Sequence, residues 1–293
     1  MLLSVRFLVP VLLFSVGTIP ALSAQNSSPG KVVVPTAKIT LFNGKDLTNF
    51  YTWLRGHKYA DPDRVFTVVD HIDGGPAIRA SGQHYGGIVT QERYANYRLL
   101  VDFRWGPTTW KPRHDRARDA GILLHCQWPD GNYAADFNGA WMRSVEFQII
   151  EGGTGDLLLV GGYDRPGGER LLTRMTVPVR EVPAASGKAG SAALHWDPQG
   201  TPKAVAGTRV NWYGRDPKWT GALDYRGPQD VEKPVGEWNR LEAICAGGDV
   251  EFFVNGIKVN SGTDGNLCEG RILFQSEGAE IFYRNIELHP LRK

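Results

Sequence analysis

Five polar side chains are spaced so that they can share one side of a β-sheet: His125, Glu146, Gln148, Gln275 and Glu277. In residues 143–151, apolar Val145, Phe147 and Ile149 alternate with polar Ser144, Glu146 and Gln148. A period of two marks a strand buried on one face. Glu146 and Gln148 therefore face away from the core. The same parity in 121–127 puts Ile122, Leu124 and Cys126 inside, and His125 and Gln127 outside. In 271–277 it puts Ile272 and Phe274 inside, leaving Arg271, Gln275 and Glu277 opposite the core. Carboxyls crowded around amides cost free energy, which suggests a site. A histidine and two carboxyls beside two amides could serve general acid–base chemistry. Each group also has a plain structural reading, as a hydrogen-bonded core histidine, a solvated strand face or a solvated sheet edge.

Aromatic residues add a hint of ligand class. Trp53, Tyr59, Trp105, Trp110, Trp128, Tyr133 and Trp141 sit in or beside turn-rich stretches. Aromatic faces bind the C–H faces of sugar rings, and Trp/Tyr loops with Asn, Gln and Arg suit carbohydrate. Gln148, Gln275, Arg271, Trp53 and Trp141 are the candidate substrate-binding set. Sandwich core and loop packing is the alternative use of these rings.

The elements that must position these groups are strands. Strand patterns recur at 66–69, 87–90, 97–105, 121–127, 144–150, 157–160, 240–246, 250–254, 271–275 and 281–288. Asp130-Gly131, Asn255-Gly256 and Asp264-Gly265 are turn dipeptides. Residues 250–254 and 257–259 form a predicted hairpin around Asn255-Gly256. No long window has a helical period. The expectation is an all-β fold, an antiparallel two-sheet sandwich, as a single domain over 39–293. The Gly-, Pro-, Arg- and Trp-rich stretch 161–234 reads as a long loop insertion across one face, with a second small domain as the alternative.

The chain has 293 residues, a net charge of +2 and 42% hydrophobic residues. That is enough for one large β domain, and it leaves no basic footprint for nucleic acid. The charged run 111–118 reads as a solvated loop. Residues 1–24 read as an export signal: Arg6, an apolar run over 7–16, and a cut after Ala24. An uncleaved anchor is the alternative. The apolar run is short for a membrane span, so an exported protein, periplasmic or extracellular and free of the membrane after cleavage, is expected. Residues 25–38 read as a mobile linker. Three cysteines are no disulfide framework. Cys126 reads as a buried thiol, and Cys245 and Cys268 as a pair that could bridge. No cysteine or histidine spacing suits zinc, no nucleophile elbow or phosphate loop occurs, and the acidic loops 61–63 and 70–73 lack a full calcium set.

An ordered set of motifs resembles a known family. Phe42-Asn43-Gly44-Lys45-Asp46-Leu47 comes first, then Gly86-Gly87-Ile88-Val89-Thr90 with Tyr94-Ala95-Asn96-Tyr97-Arg98-Leu99. Asp119-Ala120-Gly121-Ile122-Leu123-Leu124-His125 and Glu146-Phe147-Gln148-Ile149 follow. Gly236-Glu237-Trp238-Asn239, Val254-Asn255-Gly256, Gly270-Arg271-Ile272-Leu273-Phe274-Gln275 and Arg284-Asn285-Ile286 complete the order. Together they resemble the 3-keto-disaccharide hydrolase domain over about 39–291. The resemblance implies a concanavalin A-like jelly roll related to lectins and to glycoside hydrolase family 16. It also implies export and action on glycosides oxidised at C3.

A C3 ketone acidifies the C2 proton. A base removes that proton, the enolate expels the C1 substituent, and added water completes net hydrolysis. His125 or Glu146 is the expected base, Gln148 and Gln275 the donors, and Glu277 the acid. A divalent metal ion on His125 and Glu146 is the other way to polarise the ketone. Two further readings stay open. The spacing of Glu146, Gln148 and Glu151 resembles the acid strand of family 16 retaining glycosidases, if a bulge turns Glu151 onto the face of Glu146. A lectin-like sugar-binding module needs the aromatics alone.

Overall fold

The computed structural model describes residues 30–183 and 192–292. The proposed export signal lies outside them, as does the first part of the linker. Among the described residues none is helical, and no helix is long and apolar enough to cross a membrane.

Two sheets stack face to face. The front sheet has nine strands. Its central order is Phe50–Leu54, Gly86–Thr90, Glu269–Ser276, Asp119–Cys126, Ser144–Ile150, Leu157–Val160 and Arg209–Val210. The back sheet has eight, running from Ile257–Gly262 through Asp249–Val254, Asn239–Ala246, Tyr97–Thr109 and Ala279–Pro290 to Ala77–Ala80 and Phe66–Val69. Neighbours within these two runs are antiparallel. The molecule is an antiparallel jelly-roll sandwich.

Alternating side chains fill the space between the sheets. Phe147 of the front sheet stacks on Phe252 of the back sheet, with centroids 4.2 Å apart and planes 5° from parallel. Phe274 meets Tyr283 at 5.6 Å. Ile122, Leu124, Ile149 and Ile272 lie in the same buried cluster. Fully burying one such side chain stabilises the fold by about 1.5–3 kcal/mol. A slip of one residue would exchange this set for Glu146 and Gln148, so the burial pattern locks the register. Asn255 and Gly256 both have positive φ, 50° and 83°, as a two-residue hairpin turn with matching twist requires.

Three parts differ from expectation. Val32–Val33, inside the anticipated linker, pairs in parallel with Arg93–Ala95 and extends the front sheet. Within 161–234, strands Arg174–Pro183, Ala192–Trp196 and Thr201–Ala206 form a three-stranded antiparallel sheet. Its Met175, Val177, Trp196 and Val205 join the main hydrophobic cluster. Cys126, Cys245 and Cys268 are all free; Cys245 is buried and Cys268 exposed, so they form no bridge.

The parity of Asp119–Cys126 breaks at its end. His125 adopts φ 55°, and the pairing with Glu269–Ser276 shifts between Arg271 and Leu273. This irregularity reverses the last two side chains. Cys126 joins Trp53, Val89, Leu123, Met142 and Leu273 on the outer face of the front sheet. His125 turns inward.

Candidate active site

The outer face of the front sheet divides in two. One half is apolar, with Trp53, Val89, Leu123, Cys126, Met142 and Leu273 packed together. The other half is polar and open. There Glu146 and Gln148 on Ser144–Ile150, Asp119 on Asp119–Cys126 and Gln275 on Glu269–Ser276 come from three neighbouring strands and, with Glu277 just past the last of them, surround a cavity of about 350 Å³. That is the lower end of the usual range for small-molecule sites. Trp141, Tyr133 and Arg170 line it, and Arg113 and Arg209 enter from outside the strands that carry the acids.

Gly121 makes the meeting point possible. It lies opposite Gln148 in the ladder, between the strands of Glu146 and Gln275. A Cβ there would come within 2.5 Å of Glu146 Oε1 and 2.8 Å of Gln275 Oε1. The missing side chain lets the two groups close over it. Gln275 Nε2 donates to Glu146 Oε1 at 3.0 Å. Gln275 Oε1 is buried without a partner, an acceptor with no protein donor in reach.

Gln148 is fully engaged. Its Nε2 donates to Asp119 and to the Ala120 carbonyl, and its Oε1 accepts from Arg209 Nη2 at 2.8 Å. Arg209 Nε lies 3.6 Å from buried Asp156, which also holds Arg215 at 2.7 Å. Arg113 pairs with Asp119 and, at 3.2 Å, with Glu277. Three carboxyls thus sit between two guanidinium groups.

Burial dominates their electrostatics. It raises Glu146 to about 8, with Asp119 adding to the effect and Arg209 and Gln275 opposing it. It raises Glu277 to about 7, with Glu146 contributing and Arg113 opposing. Asp119 is also pushed upward, by burial and then by Glu277, against Arg113 and Arg209. The low local dielectric makes full ionisation of the cluster costly, so it holds a proton near neutral pH. Such a set can accept one proton and deliver another.

The expected residues fall into five groups. Glu146, Gln148, Gln275, Glu277 and Trp141 line the cavity. His125 does not: it is wholly buried, its Nδ1 lies 3.0 Å from the Leu267 carbonyl, and its ring packs edge-on against Tyr97. Burial lowers its pKa to about 4. The proposed ion shared by His125 and Glu146 is therefore excluded, because the two side chains lie on opposite faces. Arg271 stays on the outer face but at the far end, over the Tyr51 ring at 5.4 Å. Trp53 is buried in the apolar half and donates to the Gly139 carbonyl at 3.0 Å. Glu151 is not on the face of Glu146: Ser144–Ile150 pairs with Asp119–Cys126 without a bulge, and Glu151 is taken by Arg118 Nη1 at 2.6 Å.

Asp119, Arg113 and Arg209 were missed. Asp119 shares the parity of Gly121, so reading the strand two residues further back would have found it. The arginines lie outside the alternating strands that carry the acids, where periodicity has nothing to say.

The fold and cleft define the class: an antiparallel jelly-roll sandwich with a cluster of buried carboxyls facing an open cavity on one sheet. The chain belongs to the 3-keto-alpha-glucoside-1,2-lyase-like domain family, whose model matches residues 37–289. No curated protein matches the chain. Among solved structures, a candidate glycosyl hydrolase from Parabacteroides distasonis is similar at 19% identity and TM-score 0.47, over 87% of this chain and 94% of that one. The carbohydrate-binding module CBM66 from Bacillus subtilis is similar at 11% identity and TM-score 0.41, over 82% and 95%. The β-glucanase of Bacillus licheniformis is similar at 10% identity and TM-score 0.39, over 87% and 99%.

Proposed function

We propose that the protein is exported and cleaves 3-keto-glycosides by removing the C2 proton and eliminating the C1 substituent. The observation that carries this reading is the pair Glu146 and Glu277 in one cavity, both raised by burial, Glu277 to about 7 and Glu146 to about 8. Plain glycoside hydrolysis needs a nucleophile or a water-activating base at the anomeric carbon. Elimination needs a base beside C2, a cation beside the ketone oxygen, and an acid beside the leaving oxygen.

The roles follow from the contacts. Glu277, paired with Arg113, is the more readily ionised of the two and takes the C2 proton. The freed electron pair delocalises onto the C3 oxygen, which Arg209 stabilises from the cavity wall. The electrons then return, a C1–C2 double bond forms and the C1–O bond breaks. Glu146, which keeps its proton to higher pH, protonates the departing oxygen. Water added across the double bond gives net hydrolysis. This order reverses the roles expected from sequence. Gln148 spends its donors on Asp119 and Ala120, so it braces Asp119 and Arg209 rather than meeting the enolate. The free Gln275 Oε1 accepts from a sugar hydroxyl.

Incubation with a 3-keto-glucoside and with the unoxidised glucoside is the test. Turnover of the keto sugar alone supports the reading. Turnover of the plain glucoside, or binding of sugar without turnover, overturns it.

A further inference from the structure

Outside the cleft, three side chains from separate turns converge at the end of the front sheet. His57 follows the strand Phe50–Leu54, Asp63 lies in the next turn, and His84 precedes the strand Gly86–Thr90. One donor atom from each lies within 4.8 Å of the others. His84 Nε2 is 2.7 Å from Asp63 Oδ2, and the two imidazole rings are 4.6 Å apart. None of the three lines the sugar-sized cavity.

We propose that His57, Asp63 and His84 form a binding site for a divalent transition ion of the zinc, cobalt or nickel type. An exposed His–Asp pair by itself adds little to stability and gives no reason for a second imidazole beside it. Two neutral imidazoles and a carboxylate are a natural facial ligand set, at ion–nitrogen distances of about 2.0–2.1 Å. Two nitrogens among three donors favour borderline metals over calcium or magnesium, which prefer oxygen. The neighbouring acid does not compete. Asp61 is spent on the Val65 and Phe66 amides at 2.7 and 3.0 Å.

The surroundings show what the ion does. Arg55 N donates to the Tyr85 carbonyl at 2.9 Å, and Ser276 Oγ donates to the His84 carbonyl at 2.8 Å. Ser276 lies between Gln275 and Glu277 of the cleft. Tyr85, next to His84, leans on Trp141 of the cavity wall with centroids 6.2 Å apart. An ion on the three ligands therefore cross-links three surface turns that support one edge of the cleft. Its role is to stiffen that edge, and it stands independently of the chemistry proposed for the acids.

The experiment is a titration of the whole chain, stripped with chelator, with Zn²⁺ in a calorimeter and with Co²⁺ followed by visible absorption. The expected result is one equivalent bound, with a rise in Tm. His57→Ala and His84→Ala each weaken binding at least tenfold, in line with losing a ligand. Asp63→Asn weakens it too and guards against misfolding of the histidine variants, checked by circular dichroism. Glu146→Gln leaves binding unchanged. Absence of a saturable equivalent overturns the proposal. So does binding that survives the double histidine replacement, or that disappears with Glu146→Gln.

Discussion

Gln275 donates to Glu146 across 3.0 Å although 129 positions separate them in the chain. Gly121, between their strands, holds the space open for that contact. The three residues form the floor of the cleft, and the acid's raised proton affinity comes from burial and then from Asp119, against the opposing Gln275 hydrogen bond.

Glu146→Gln keeps the shape and removes the titrating group. Turnover of a 3-keto-glucoside is expected to fall by roughly 10²–10⁴-fold, the usual share of a general acid. Circular dichroism should be unchanged. Steady-state kinetics with full activity would remove Glu146 from the reaction.

The rate should be bell-shaped in pH. Glu277 must lose its proton, near pH 7, and Glu146 must keep its own, up to about pH 8. A profile of kcat/KM should therefore peak between these values. Glu277→Gln should cut activity at every pH and remove the rising limb from what remains.

Stability should run the other way. Glu146 binds its proton more tightly when folded, from 4.5 up to about 8. Its contribution is fully present below the unfolded value and is lost as pH rises through the folded one. Tm should decline across this window, and Glu146→Gln should flatten the decline. Thermal melts between about pH 5 and pH 8.5 read this directly.

Gly121→Ala should strike the site harder than the fold. The new methyl meets Glu146 and Gln275 rather than the core. Overpacking of this kind typically costs about 1–3 kcal/mol. Activity should drop at least tenfold while the urea transition remains cooperative.

Trp53→Ala and His125→Asn separate packing from chemistry. Trp53 is buried beneath Gly131 and Gly139, and its loss should cost about 3–5 kcal/mol in denaturant unfolding. Any change in KM would be secondary to that destabilisation. His125 has a left-handed backbone that Asn tolerates, and its ring never reaches the cleft. Activity of His125→Asn should stay within about threefold of the parent, since ΔΔG far from the chemistry acts on stability.

The alternation in 144–150 by itself determined that Glu146 and Gln148 share an outer face, because a strand's side-chain period is fixed by backbone geometry. The same rule placed Gln275, and the turn dipeptide Asn255-Gly256 specified its hairpin through φ alone. Only the tertiary structure decided which strands are neighbours, and so which acids raise one another's proton affinity. It also decided His125, where a single positive φ reverses parity, and Arg113 and Arg209, which reach Glu277 and Gln148 from outside their strands. Local periodicity is a property of one segment. Convergence depends on loop paths and burial, which are set by the packing of the whole chain.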